Sequence, residues 1–323
     1  MRIAEALQSL TAYLEHHGIE HPGADAEWLL SFVLNCKRLE LFLTPDRVLT
    51  AEQTERLRVL AVRRAQREPL QYVVGEVDFF GQKLHVDQRV LIPRPETEEL
   101  VYQARGYLQE KFFKEPSDLT DIADEERQNL TILDLGTGSG AIAIALAALF
   151  PSIKLTAVDC SAEALAVAKK NSIENNVRER ICIVQSDWFE DVEGTFDVII
   201  SNPPYVSEEE YRSLQPEVRC FEPKGALTAG DEGLADLKRI LLKAPEYLKR
   251  GGLLVMETGC NQHTALHAYA KTFGYAKTQS TLDLSHRERY FWAWVRGTSG
   301  DDASIFKRRL SRGCTDENYV SLD

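Results

Sequence analysis

Two stretches of this 323-residue chain hold residue types that could do chemistry together. Thr131-Ile-Leu-Asp-Leu-Gly-Thr-Gly-Ser-Gly140 closes a short β-prone run with three glycines, and Ser201-Asn-Pro-Pro-Tyr205 closes another with an amide and two prolines. Glycine lets a ligand approach the backbone, so Gly136, Thr137, Gly138, Ser139 and Gly140 read as a strand-to-helix turn with a bound group above it. Asn202 offers a side-chain carbonyl oxygen and Pro203 a backbone carbonyl, two acceptors able to hold both hydrogens of one NH2 group. Pro203 and Pro204 fix φ and remove backbone donors, while Tyr205 adds a flat face for a planar target. Such a site suits transfer to an amide or amine nitrogen, whose delocalised lone pair has to be aimed. No strong general base is required, because the proton can leave to water afterwards; Asp134 and Asp187 are expected to orient a cofactor.

The elements that must position these residues follow from periodicity. Residues 131–135, 153–158, 181–185 and 196–200 are β-prone runs, and residues 141–150 are ten apolar residues that read as a buried helix. In an open α/β sheet, ligands lie at the carboxyl ends of the strands. Gly136 to Gly140, Asp159, Asp187, Trp188 and Asn202 to Tyr205 should therefore converge on one crevice. An acidic residue about 20 residues beyond the glycines, here Asp159, is where a Rossmann-like fold grips a ribose diol. Gly136-x-Gly138-x-x-Ala141 also fits the dinucleotide fingerprint, which keeps a nicotinamide dehydrogenase open at this point, although such an enzyme has no need of Asn202 to Tyr205.

Asp134-Leu-Gly-Thr-Gly-Ser-Gly140, the strand-end Asp159 and Asn202-Pro-Pro-Tyr205 together resemble an S-adenosylmethionine-dependent amino-methyltransferase of the class I Rossmann-like fold. More narrowly, Leu91-Ile-Pro-Arg-Pro-Glu-Thr-Glu98, Gln185-Ser-Asp-Trp188 and Val218-Arg-Cys-Phe-Glu-Pro223 resemble the HemK (PrmC) family, which methylates the side-chain amide of a glutamine in peptide chain release factors. The likeness runs from the N-terminal helices to about Val295. It implies S-adenosylmethionine as cofactor, with Gly136 to Gly140 at its methionine and ribose portions, Asp159 at the ribose hydroxyls, and Asp187 with Trp188 at the adenine; Trp188 is otherwise a core tryptophan. Asn202, which would also border the cofactor, Pro203, Pro204 and Tyr205 become the catalytic and substrate-binding residues. In the family the loop holding Arg94 lies near the active site, so Arg94 is a candidate contact to substrate or cofactor, though an arginine before a helix is more often a surface residue.

Residues 1–74 read as a small helical domain, expected to recognise the protein substrate or merely to cap the catalytic domain, and residues 75–92 as a β-hairpin linker. Residues 93–296 are expected to form the methyltransferase domain, an α/β fold whose mostly parallel sheet has one antiparallel strand, as the resemblance to class I methyltransferases implies. It contains an acidic insertion at 115–126 and a long polar stretch at 207–232, expected to close over the target glutamine. Residues 297–323 lack periodicity, and the basic cluster at 307–312 reads as solvated charge.

A formal net charge of -12 argues against a surface that tracks phosphates, so no direct nucleic-acid contact is expected. This counts against the alternative of an adenine amino-methyltransferase acting on DNA or RNA, which uses the same Asn-Pro-Pro-Tyr signature. An S-adenosylmethionine-binding adaptor without catalysis would have no use for an intact Asn202 to Tyr205. Six scattered cysteines without a C-x-x-C pair suggest reduced thiols in the cytoplasm. The pairs His17/His21 and His263/His267 are each spaced by four, but Gly18 interrupts the first and the second lacks an adjacent glutamate. Surface histidines and no metal are expected. No apolar run is long enough to span a bilayer.

Overall fold

A computed structural model describes residues 1–113 and 130–297. The acidic insertion at 115–126 and the basic cluster at 307–312 lie outside the described residues.

The N-terminal region is helical: α1 (Ile3–His16), α2 (Pro22–Leu34), α3 (Arg38–Leu43), α4 (Ala51–Ala65) and α5 (Leu70–Val74). Local chemistry sets their ends. Thr50 caps α4 by accepting from the Gln53 N–H at 3.1 Å, Pro22 opens α2, and Asn35 and Gly75 close α2 and α5 in left-handed conformations. Ile3, Leu10, Leu14, Leu29, Leu30, Leu57 and Leu60 pack into a core that belongs to these helices alone. A hairpin follows, β1 (Glu76–Phe79) against β2 (Gln82–His85), joined by Phe80 and Gly81, both at positive φ.

From α6 (Pro95–Phe112) onward the chain alternates strands and helices: β3 (Thr131–Leu135), α7 (Ala141–Leu149), β4 (Lys154–Asp159), α8 (Ala162–Glu174), β5 (Ile181–Gln185) and β6 (Phe196–Ser201). After two short helices, α9 (Glu208–Ser213) and α10 (Pro216–Phe221), come α11 (Ala235–Tyr247), β7 (Leu248–Glu257), α12 (His263–Thr272), β8 (Lys277–Leu282) and β9 (Glu288–Trp294). The seven strands are ordered β5-β4-β3-β6-β7-β9-β8. All run parallel except β9, which is antiparallel to both neighbours, so the expected sheet is found.

Both faces are covered, and the two-residue period sorts side chains between them. Ile132, Val198, Ile200, Leu253, Val255, Tyr290 and Trp292 face one core with α6 and α7; Leu133, Leu135, Ile199, Leu254, Met256, Phe291 and Ala293 face the other with α11 and α12. The chain leaves β3 for β4 on one side and reaches β6 on the other. That reversal of strand order opens a crevice above the carboxyl ends of β3 and β6.

Helix α6 extends to Phe112, whose side chain continues its apolar stripe onto the core. Strand β7 starts at Leu248, since an irregularity in its pairing with β6 absorbs the glycines at 251 and 252. One sequence expectation is corrected. His263 and His267 are not surface residues. Both rings lie on the inner side of α12, where His263 bonds Thr258 and Ser280 at 2.9 and 2.8 Å and His267 bonds Thr278 and Ser280 at 2.7 and 2.9 Å.

Candidate active site

The turn after β3 depends on glycine at two positions. Gly136 has φ +71° and lies against the Trp188 ring, while Gly140 has φ +83° and no room for a side chain: a Cβ there would stand 3.0 Å from Ile144 and 3.2 Å from Ala168. The turn thus brings α7 hard against α8, whose Ala164, Leu165 and Ala168 are core residues. Thr137 and Ser139 are buried beneath it.

Asp159, the last residue of β4, reaches back to this turn. Its Oδ2 accepts from the Gly138 N–H and its Oδ1 from the Ser161 N–H, each at 2.9 Å. Burial raises its pKa and these backbone bonds pull it down. Each carboxylate oxygen keeps a second lone pair for a ligand hydroxyl.

Asp134 lies under the glycines, fully buried. Oδ2 accepts from the Thr137 hydroxyl at 2.6 Å and the Ala143 N–H at 3.2 Å, whereas Oδ1 has no partner among the described residues. Burial pushes the carboxyl up to about 7 against the pull of its two hydrogen bonds. A buried acceptor left without a donor is costly, and here it lies beneath a turn shaped for a ligand. The donor set fits a nucleoside with a positively charged chain: a carboxylate for a diol, an orphaned acid for cationic charge, and an indole beside the turn.

That indole, Trp188, has φ +54° and donates Nε1–H to Asp236 of α11 at 3.2 Å. Asp187 points to solvent and is bound by Arg239 at 2.7 and 2.9 Å. Asp159 and Trp188 thus lie at the glycine turn, while the Asp187 carboxylate is engaged by a surface arginine.

Across the switch point, Ser201 ties β6 to β3 by donating to the Leu135 carbonyl at 2.7 Å. Asn202 follows and donates Nδ2–H to Thr97 Oγ1 at 2.9 Å. Among the described residues neither its Oδ1 nor the Pro203 carbonyl accepts a protein hydrogen bond, so two neighbouring acceptors, one on the half-buried Asn202 and one on the buried Pro203, are left unengaged at the end of β6. The Tyr205 hydroxyl donates to Glu257 at 2.9 Å, and burial next to that carboxylate pushes the phenol pKa up, keeping its proton.

Arg94 caps the loop before α6 and donates to the buried Glu222 at 2.5 Å; the other Glu222 oxygen accepts from the Ile92 N–H at 3.1 Å. The arginine is therefore a clasp between its own loop and the stretch after Tyr205. That stretch is not the irregular loop its polarity suggested, since α9 and α10 order it. Glu217 on α10 is gripped by Arg64 of α4 at 3.1 Å and by Arg67 at 2.7 Å, and the buried Arg64 also holds Asp25 at 2.6 Å. One segment thus joins the N-terminal helices to the crevice.

Sequence reasoning missed Thr97, Glu222, Asp236 and Glu257. Glu257 had a readable signal: like Asp134 and Asp159 it is an acidic residue at the carboxyl end of an apolar strand. Asp236 had none, since its pairing with Trp188 spans 48 residues. Among the described residues no cluster of three His, Cys, Asp or Glu side chains is arranged to hold a metal, and no helix is long and apolar enough to cross a membrane.

Residues 5–75 match the family model described as the PrmC N-terminal domain, and residues 119–219 match the methyltransferase small domain. The release factor glutamine methyltransferase of Rhodopirellula baltica is 37% identical over 294 residues, covering 89% of this chain and 94% of that protein. Its namesake from Chlorobaculum tepidum is 41% identical over 260 residues, covering 79% and 84%. In structure, the catalytic domain of hMettl16 in complex with the MAT2A 3'UTR hairpin 6 aligns with a TM-score of 0.51 at 17% identity, covering 76% of this chain and 82% of that one. That likeness establishes the fold.

Proposed function

The chain belongs to the release factor glutamine methyltransferase family, and from that premise we propose how its residues move a methyl group from S-adenosylmethionine to the side-chain amide nitrogen of a glutamine in a peptide chain release factor. The cofactor supplies an electrophilic methyl on a sulfonium. Everything else falls to the protein.

An amide nitrogen shares its lone pair with the adjacent carbonyl and is a poor nucleophile, so the site has to aim it. The free Asn202 Oδ1 and Pro203 carbonyl accept the two amide hydrogens and turn the nitrogen's π face toward the methyl. Pro204 holds that backbone still, and Tyr205, its hydroxyl tied to Glu257, offers its ring to the planar amide. Gly136 to Gly140, Asp134, Asp159 and Trp188 would hold the cofactor across the switch point. Asp187, bound to Arg239, borders the same crevice through Trp188. Arg94 acts by fastening Glu222 rather than by touching substrate.

The carrying observation is the pair of unengaged acceptors at Asn202 and Pro203 beside a turn that fits the cofactor. The N-terminal helices expose Trp28, Leu39, Phe42 and Leu43, apolar side chains suited to a folded protein partner. The test is methyl transfer from labelled S-adenosylmethionine to a release factor, to the same factor with its acceptor glutamine changed to alanine, and to DNA and RNA. Label on the intact factor alone is expected. Label on nucleic acid with none on the factor would overturn the reading in favour of an adenine amino-methyltransferase.

A further inference from the structure

Behind Asn202 lies a buried polar chain that the transfer chemistry does not itself call for. Asn202 Nδ2–H donates to Thr97 Oγ1 at 2.9 Å, the Thr97 hydroxyl donates to Glu257 Oε2 at 2.7 Å, and the Tyr205 hydroxyl donates to Glu257 Oε1 at 2.9 Å. Thr97 is 4% exposed and Glu257 1% exposed. Three elements contribute: Thr97 lies in the first turn of α6, Asn202 and Tyr205 just after β6, and Glu257 is the last residue of the neighbouring β7.

We propose that Thr97 and Glu257 are positioning residues that set which end of the Asn202 carboxamide faces the acceptor glutamine, and that Glu257 fixes Tyr205 through the same carboxylate.

Hydrogen-bond direction decides which end of the carboxamide faces the crevice. A carboxylate only accepts, so a hydroxyl beside it must point its proton inward. Thr97 therefore donates to Glu257 and has only lone pairs left for Asn202. Those lone pairs bind the NH2 end of the carboxamide and reject the oxygen, which is turned toward the crevice. Were the carboxamide reversed, its NH2 would face the NH2 of the substrate, and Oδ1 would meet an oxygen that has no proton to offer. Asparagine is close to symmetric in shape, so packing alone discriminates the two orientations poorly; the polarity of the chain does it. The Pro203 carbonyl needs no such device, because its direction is fixed by the backbone.

Burial without a bonded cation is costly for a carboxylate, and two hydroxyl donors are what Glu257 has in return. Arg289, the nearby cation, directs Nη1 to the Thr258 carbonyl at 3.1 Å instead. Burial raises the Glu257 pKa and the bonds from Thr97 and Tyr205 oppose that rise.

This inference rests on the proposed role of Asn202, and the experiment separates the two. Thr97→Val keeps the shape of the side chain and removes the hydroxyl; Thr97→Ser keeps the hydroxyl; Glu257→Gln replaces an acceptor-only group by one that also donates. With wild-type enzyme methylating the release factor as the baseline, Thr97→Val and Glu257→Gln are each expected to lower kcat by roughly tenfold to a hundredfold, the range for misaligned reacting groups. Cofactor Kd should stay within about twofold, since neither residue lies at the glycine turn. Thr97→Ser should recover most of the turnover that Thr97→Val loses. In an Asn202→Ala background, Thr97→Val should cost almost nothing more, because the group it acts through is gone. Wild-type kcat in Thr97→Val with the cofactor bound normally, or an undiminished loss in the Asn202→Ala background, would overturn the inference. If Thr97→Val does not fold, Glu257→Gln decides it, compared between the wild-type background and an Asn202→Ala, Tyr205→Phe background that removes both groups it acts through: the loss should nearly vanish in the second. A wild-type enzyme that leaves the factor unlabelled defeats the underlying reading instead.

Discussion

Replacing Asp134 by asparagine tests whether the buried acid under the glycine turn is the counter-charge for the cofactor. Its folded pKa lies at about 7 against an ordinary 3.8, with burial as the largest cause. At about 1.4 kcal/mol per pH unit, holding that group ionised in the ligand-free protein costs about 4 kcal/mol. The sign follows from the folded value being the higher one: the associated stability is present in full below pH 3.8 and is lost as pH rises through about 7. Asp134→Asn cannot ionise, so its stability relative to wild type should rise through the same window in urea denaturation. A positively charged ligand favours the carboxylate, so binding should expel a proton. Wild-type affinity for S-adenosylmethionine is then expected to be about tenfold weaker at pH 6 than at pH 8. Calorimetry at pH 6 in two buffers of different ionisation heat should register nearly one proton released per cofactor bound. Asp134→Asn should bind weakly and with little pH dependence. Flat wild-type affinity between pH 6 and 8, or the same slope in Asp134→Asn, would refute the assignment of this acid to cofactor charge.

Asn202→Ala should remove most turnover while sparing cofactor binding, a loss of about 2 to 4 kcal/mol in the transition state for one oriented group; near-normal kcat in a single-turnover assay would sink the proposed aiming of the amide. Asp159→Ala should weaken S-adenosylmethionine binding by about 1.5 to 3 kcal/mol in calorimetry, with the KM for the release factor little changed. Arg64→Met leaves the buried Asp25 without its cation and the partly buried Glu217 to Arg67 alone, and chemical denaturation should show a loss of about 3 to 5 kcal/mol. Because that arginine also ties the N-terminal helices to the segment after Tyr205, KM for the factor should rise more than that for the cofactor. Equal changes in both would mean that the tie serves folding alone.

The catalytic half was legible because its signals are local. The glycines at 136, 138 and 140, the acids ending β3 and β4, and the amide with two prolines ending β6 each sit within a few residues of the strand that aims them. Strand-end placement is a rule of the fold class, so knowing the strands was enough to bring these residues to one crevice. The polar chain behind Asn202 was not legible, since Thr97 is separated from it by 105 residues and from Glu257 by 160. A threonine in the first turn of a helix looks like capping chemistry, and only the closing of α6 over β6 and β7 turns its hydroxyl into a relay of direction. The histidines of α12 misled for a related reason: four-residue spacing marks one face of a helix but says nothing of whether that face meets water or the Thr278 and Ser280 hydroxyls of β8. The stretch at 207–232 is long and polar, features that suggest a loop closing over the target, and its charges are what order it. Glu217 and Glu222 are answered by Arg64, Arg67 and Arg94, cations supplied by the N-terminal helices and the loop before α6. Polar composition looks the same whether the partner is water or a distant arginine, and only the tertiary fold decides between them. Here it makes the segment a joint between the helices proposed to meet the release factor and the site that modifies it.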